Sequence, residues 1–329
     1  MKTIKGYESI VRMTQSQLKA ALITELYKYY GNIMSQDGFL YVKGSRIMLT
    51  AHMDTVHKHP VSKIVSRYED GCTILSSPQG LGGDDRNGVW AIVQILRTTD
   101  FRPTILFCED EEIGSVGAEK FVKSKYASDL KDLLYIIELD RRGSEDAVFY
   151  DCGNEDFEKY ICKITKNQKE TGSFSDICVL SPAGDVASVN LSCGYYKEHH
   201  PETYTVIQEM NAMIKKVKRL LKDEHNLKEK FDYQEIKYSY FSNSYLTGYN
   251  YGYGYGDYDD DFFLREQNYV IIYRTSETSP TTEEYEIEAL SEVEAIGYFL
   301  MDFPSLTYNN VEWCGTDDDF WNKEVSCYV

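Results

Sequence analysis

Five short stretches hold the residues able to do chemistry. In TAHMDTVH, His52 follows an apolar run and Asp54 lies two residues on. An imidazole that ligates a metal needs its second ring nitrogen held, and a nearby carboxylate does this. In GLGGDDRNG, Asp84 and Asp85 follow three glycines and open a helix. Adjacent carboxylates repel unless cations or donors share them, although aspartate also caps helix starts. In FCEDEEIGSVGA, four acidic residues run from Glu109 to Glu112 directly after an apolar run. That placement is costly without compensating positive charge; otherwise the stretch is a solvated loop. In IIELDRRG, Glu138 and Asp140 end an apolar segment, with Arg141 and Arg142 as alternative ion-pair partners. In GYYKEHHPET, His199 and His200 precede Pro201.

The elements that must position these groups alternate in type. Helices are expected at 14–30 (Thr14 and Gln17 forming a capping box, Gly31 at the end), 87–97 (Val89, Val93 and Leu96 on one stripe), 115–125, 154–167 and 202–222. Strands are expected at 46–51, 103–108, 133–139, 147–151 and 186–192. The apolar run LLYIIEL suits a strand buried on both faces. The pattern implies an α/β domain with a mixed, largely parallel sheet flanked by helices. Ligands in such sheets bind outside the carboxyl ends of the strands. Three of the five groups directly follow an expected strand, and the His199 loop lies close after another. The fold would gather them at one sheet edge, where two divalent cations would offset their charge. Mixed imidazole and carboxylate donors suit zinc, with cobalt or manganese as alternatives.

Taken together and in order, H-x-D, G-G-D-D-R-x-G, D-E-E-I-G-S-x-G-A, E-L-D and a late H-x-P make residues 45–205 resemble the co-catalytic di-zinc exopeptidases. That group includes bacterial leucyl aminopeptidase, the glutamyl-aminopeptidase-like tetrahedral peptidases and the tripeptidases. By position, the resemblance implies that His52 and Asp140 bind one zinc, Glu112 and His199 the other, and that Asp84 bridges them. It implies Asp54 as the partner orienting His52, Glu111 as general base, and a cis peptide between Asp84 and Asp85. His199 is preferred to His200 because the pattern puts one residue between ligand and proline. The span from Asp140 to His199 leaves no room for the dimer-forming domain that tripeptidases insert, so the compact aminopeptidase-like form is implied. In such relatives acidic groups hold the substrate's free amine; Glu138, Asp151, Asp176 and Asp185 are the candidates. Arg141 and Arg142 depart from that rim and suit a carboxylate or phosphate instead.

The chain has 329 residues and a net charge of −18. Residues 1–230 contribute only −2, whereas residues 231–329 contribute −16 and hold 15 of the 28 tyrosines. This break divides the chain into a catalytic domain (1–230), a Tyr/Gly/Asp-rich linker or loop (231–262) and a small acidic α+β module (263–329). The module's expected strands are 268–274, 284–289 and 307–313, with a helix after Ser291 capped by Glu294 and ended by Pro304. It is either a solubilising appendage or a surface for a protein partner. No basic stripe exists for a nucleic acid, and no apolar run approaches the ~20 residues of a membrane helix. The eight scattered cysteines and the lack of a leader-like apolar run point to a cytoplasmic, reduced protein. The expected activity is hydrolysis of an amide bond, first as an aminopeptidase. The alternatives are a deacylase or amidase with the same metal site, or a non-catalytic binding protein.

Overall fold

A computed structural model describes residues 2–57, 59–150, 152–236, 267–275 and 282–289, together with positions 295, 299, 302, 303, 306 and 310–316. The main sheet has eight strands in the order β1-β2-β6-β3-β7-β10-β8-β9: β1 Met34–Gln36, β2 Phe39–Val42, β3 Ser45–His52, β6 Pro103–Cys108, β7 Tyr135–Arg141, β8 Asp146–Val148, β9 Gln168–Glu170 and β10 Ser188–Ser192. Its centre, β6-β3-β7-β10, is parallel. β2 and β8 pair antiparallel at its two sides. The fold is thus the mixed, largely parallel sheet that the alternating pattern implies. β3, β6 and β7 are almost wholly buried, which explains their unbroken runs of apolar residues.

Helices cover both faces. α2 (Gln15–Leu26) starts at Thr14, whose hydroxyl accepts from the Gln17 N–H while Gln17 reaches back to the Thr14 amide. It stops short of Gly31, and turn hydrogen bonds from Tyr29 and Tyr30 to the Leu26 carbonyl close its end. α3 (Gly83–Thr98) and α7 (Ile207–Asp223) pack together over one face, α7 through Met210, Met213, Ile214, Val217, Leu220 and Leu221. The 3.6-residue spacing of that stripe sets its buried side. On the opposite face, α4 (Val116–Val122) and α6 (Ile177–Gly184) pack together over a cluster centred on Phe39, Phe121 and Ile136.

The structure corrects three boundaries. The helix expected at 202–222 starts only at Ile207, because Tyr204–Val206 forms β12 and pairs with β5 (Cys72–Ser76). A second sheet, β11-β12-β5-β4, results, with β4 Val65–Glu69 and β11 Tyr195–Tyr196. β4 is exposed along its whole length, so no alternation of polar and apolar residues announced it. The helix expected at 115–125 ends at Val122, and a 3-10 helix follows from Lys125 with the Ser124 hydroxyl accepting from the Tyr126 N–H. β8 is shorter than 147–151, ends at Val148 and pairs with β10.

The chain stays on this body past the composition break. Phe231 donates its N–H to Leu134 and accepts from Ala187 through its carbonyl, and Glu235 bridges to Cys152. The C-terminal region contributes a three-stranded antiparallel sheet, β14-β13-β15, from Glu283–Ala289, Gln267–Tyr273 and Val311–Thr316. Ala295 and Phe299 pack in its core with Tyr269, Ile271 and Tyr273. The Tyr/Gly/Asp-rich stretch from 237 onward and the cap at Ser291 and Glu294 lie outside the described residues. Among the described residues, no helix is long and apolar enough to cross a membrane.

One buried ion pair gives α2 a pH signature. Glu25 is 3% exposed and receives Arg97 at 2.7 Å and Lys28 at 2.5 Å. Burial opposes its charge, but these two hydrogen-bonded cations outweigh burial and hold its pKa below the usual value. A depressed carboxylate pKa contributes stability that is present above the unfolded-state value of about 4.3 and is lost as pH falls through the folded value. Denaturation should therefore find Glu25→Gln less stable than wild type at pH 6, with the gap closing below about pH 4; a gap independent of pH would contradict this.

Candidate metal centre

Three of the chemical stretches lie at the carboxyl ends of central strands, and the other two come from the start of α3 and the loop after β11. His52 is the last residue of β3, and the Glu109–Glu112 stretch directly follows β6. Asp140 is the penultimate residue of β7, and the His199 loop follows β11. Asp84 and Asp85 sit at the mouth of α3, where both have non-helical backbone angles and the peptide between them is cis.

The convergence is close. His52 Nε2 lies 2.9 Å from Asp84 Oδ1 and 3.4 Å from Asp140 Oδ1. His199 Nε2 lies 2.9 Å from Glu112 Oε2 and 3.5 Å from Asp84 Oδ2. Asp84 therefore turns one oxygen to each imidazole. Asp54 accepts at Oδ1 from His52 Nδ1 (3.1 Å), which fixes the ring so that Nε2 faces the cluster. Its other oxygen accepts from the Glu112 N–H (3.0 Å), tying the acidic stretch to the same carboxylate. Glu111 Oε2 is 4.0 Å from His52 Nε2, and its side chain lines an open cleft of about 620 Å³. The backbone of His199 is left-handed (φ +55°), and its ring turns inward to Glu112. The His200 ring instead accepts from the Glu202 N–H on the exposed side of the loop.

The two adjacent aspartates divide the roles that the sequence leaves open. Asp85 is fully buried; its Oδ1 accepts from the Gly88 N–H (2.9 Å) and its Oδ2 from the His52 N–H (3.2 Å). It caps α3 and pins β3 to the helix, while Asp84 points between the imidazoles. Gly88 makes this approach possible. A Cβ there would stand 2.1 Å from the Leu139 carbonyl oxygen and 2.6 Å from both Asp85 oxygens. Gly82 has a φ of +65° and turns the chain into the pair.

So many buried acids cannot all be charged in the bare protein. Burial and the neighbouring Asp84 charge push Asp140 up to about 8. Burial, with Asp140, Asp176 and Asp84 nearby, raises Glu111 to about 10. Burial and Asp84 also raise Glu112. Asp140 Oδ1 and Glu112 Oε1 are buried without a hydrogen-bond partner. Two groups, His52–Asp84–Glu112 and His52–Asp85–Asp140, bring donor atoms within 4.8 Å of one another. Imidazole nitrogens and orphaned carboxylate oxygens at such separations fit a divalent cation, which would take the place of the protons.

The other sequence candidates fall partly beneath the cluster and partly away from it. Glu138 is fully buried under the cluster and takes a hydrogen bond from Ser175. Asp176 is fully buried as well. Asp185 pairs with Lys230 at the surface, and Asp151 lies outside the described residues. Arg141 and Arg142 line the cleft, where Asp146 and Glu198 engage them. Sequence reasoning left Asp85 open between a helix cap and a cation partner, and it passed over Asn190 and Tyr195; Tyr195 stands in GYYKEHH, four residues before His199, and Asn190 had no signal beyond a polar residue inside an apolar strand.

The sequence profile of Peptidase family M28 matches residues 40–179. No curated protein matches the chain. Among solved structures, aminopeptidase PepT from Bacillus cereus is similar with a TM-score of 0.54 and 14% identity, over 67% of this chain and 97% of that one. A tripeptidase from Staphylococcus aureus gives 0.54 and 13%, over 68% and 98%. A TET aminopeptidase from a marine sediment archaeon of the Thaumarchaeota gives 0.50 and 13%, over 65% and 95%. At these identities the structural likeness is one of fold.

The glycine argument is testable. Gly88→Ala should destabilise the protein by about 1–3 kcal/mol in chemical denaturation, the usual cost of overpacking. Gly31→Ala, where nothing lies within 4 Å of an added Cβ, should stay within about 0.5 kcal/mol. Equal stabilities for the two variants would contradict the packing described.

Proposed function

We propose that this chain, whose residues 40–179 match the profile of Peptidase family M28, is a co-catalytic zinc exopeptidase, and specifically a zinc-dependent aminopeptidase that removes N-terminal residues from peptides. The observation that carries this reading is the position of Asp84, with one carboxylate oxygen turned to His52 and the other to His199. His52 and Asp140 would hold one zinc, Glu112 and His199 a second, and Asp84 would serve both. When bound, such a pair lowers the pKa of water and stabilises developing oxyanion charge.

The chain's own residues supply the rest. Glu111 stands at the wall of the cleft beside Asp84 and Asp140. Its carboxylate takes the proton of the attacking water and returns it to the leaving amine. Asp54 keeps His52 in one tautomer and orientation throughout. The cleft that receives the peptide is lined by Tyr150, Phe174 and Tyr195 on its aromatic side and by Arg141 and Lys197 on its charged side.

Two measurements test the reading together. Purified protein should carry about two zinc ions per chain, and a chelator should abolish cleavage of aminoacyl amides. Glu111→Gln should keep its metal while turnover falls on the order of 10²–10⁴-fold, the usual weight of a general base. Full activity in Glu111→Gln would remove the base from the account, and cleavage of amino-blocked but not free-amine substrates would replace the aminopeptidase by a deacylase.

A further inference from the structure

The backbone of Asp140 is held in an unusual way. Through Glu138, β7 is in register with both neighbours: Glu138 faces Thr50 on β3 and Asn190 on β10. Beyond it the register with β10 shifts, and the next partner of Ser192 is Arg141. Asp140 falls in the gap, and the pairing with β3 has already ended. Irregularities of this kind re-aim a side chain at the cost of ladder hydrogen bonds, and a buried backbone group left without a partner is expensive.

Two side chains fill the gap. Asn190 Oδ1 accepts from the Asp140 N–H at 2.9 Å, and the Tyr195 hydroxyl donates to the Asp140 carbonyl at 2.8 Å. Both residues are buried, and both are themselves anchored. Asn190 Nδ2 donates to the Tyr150 hydroxyl (3.2 Å) and to Ser175 Oγ (3.3 Å), and Ser175 in turn donates to Glu138. Tyr195 is seated against Gly83, where an added Cβ would come within 2.8 Å of the Tyr195 Cβ. The peptide of Asp140 is thus clamped from β10 on one side and β11 on the other, and its Oδ1 projects toward His52 without a hydrogen bond of its own.

We propose that Asn190 and Tyr195 are positioning residues that replace the missing ladder bonds at Asp140 and so fix the geometry of the zinc site it shares with His52. The inference rests on the zinc reading above and extends it to two residues outside the donor set. Neither side chain needs to touch metal or substrate. Their effect passes through one peptide unit, so it falls on the His52–Asp140 half of the centre and spares the Glu112–His199 half.

Zinc titration of the full-length apoprotein against a competing chelator tests this. Wild type should bind two zinc ions. Asn190→Leu, which keeps the volume and removes the acceptor, and Tyr195→Phe, which removes the donor, should each weaken one of the two sites by about 10–100-fold, the usual effect of losing a partner that orients a ligand. The other site should stay within about threefold of wild type. Tyr160→Phe, which removes a hydroxyl that donates to Asp223 on α7, is the control and should leave both sites unchanged. If Asn190→Leu does not fold, Tyr195→Phe carries the test alone. Two wild-type affinities in Tyr195→Phe, or an equal loss at both sites, would overturn the positioning role while leaving the zinc reading standing. A wild-type protein that takes up no zinc would overturn both.

Discussion

The arrangement is governed by the cost of burying negative charge. Asp84, Asp85, Glu111, Glu112, Glu138, Asp140 and Asp176 meet beneath one sheet edge, and two imidazoles are the only side-chain bases that touch the cluster among the described residues. Desolvation disfavours each carboxylate and each neighbouring carboxylate adds to the penalty; at Asp84 burial is outweighed by the imidazoles of His52 and His199, which hold the pKa below its usual value. A protein could relieve this with arginines, yet Arg141 and Arg142 engage acids at the cleft rim instead. Divalent cations would relieve it from within, turning the stored penalty into affinity. The same concentration of charge that destabilises the bare fold would make the site an acceptor for cations.

Rigidity follows from the way the donors are mounted. Parallel strands end together, so β3, β6 and β7 deliver His52, the acidic stretch and Asp140 to one rim. Fine placement then depends on bonds around the donors. Asp54 holds both His52 and the Glu112 amide, and Asp85 holds the start of α3 against β3. Asn190 and Tyr195 hold the Asp140 peptide. His52, Glu112 and Asp140 thereby owe their placement to residues outside the donor set.

Much of this was legible in the sequence. The parallel core was readable because strands buried on both faces must be continuous apolar runs, as in PTILFC and LLYIIEL. The Thr14 cap was readable because its partner, Gln17, is local. The gathering of the chemical stretches at one sheet edge was readable from the strands they follow, and the resemblance to the di-zinc exopeptidases singled out His52, Asp84, Glu112, Asp140 and His199 within them. What escaped was set by tertiary contact. β4 is a solvent-facing strand with no alternation, and Tyr204–Val206 joins a sheet only because β5 is there to receive it. Asn190 compensates for a register shift that no single-chain pattern reveals. The packing of Phe231 against Tyr135 and Phe157 carries the chain on this body beyond the point where composition changes.

The central claim is that Asp84 lies between two cations. Anomalous diffraction from crystals of the zinc-loaded protein tests it most directly. The account predicts two zinc peaks flanking the Asp84 carboxylate, one beside His52 and Asp140 and one beside Glu112 and His199. Zinc-loaded crystals with no peak at Asp84, the carboxylates being paired by protons or by side chains alone, would contradict it.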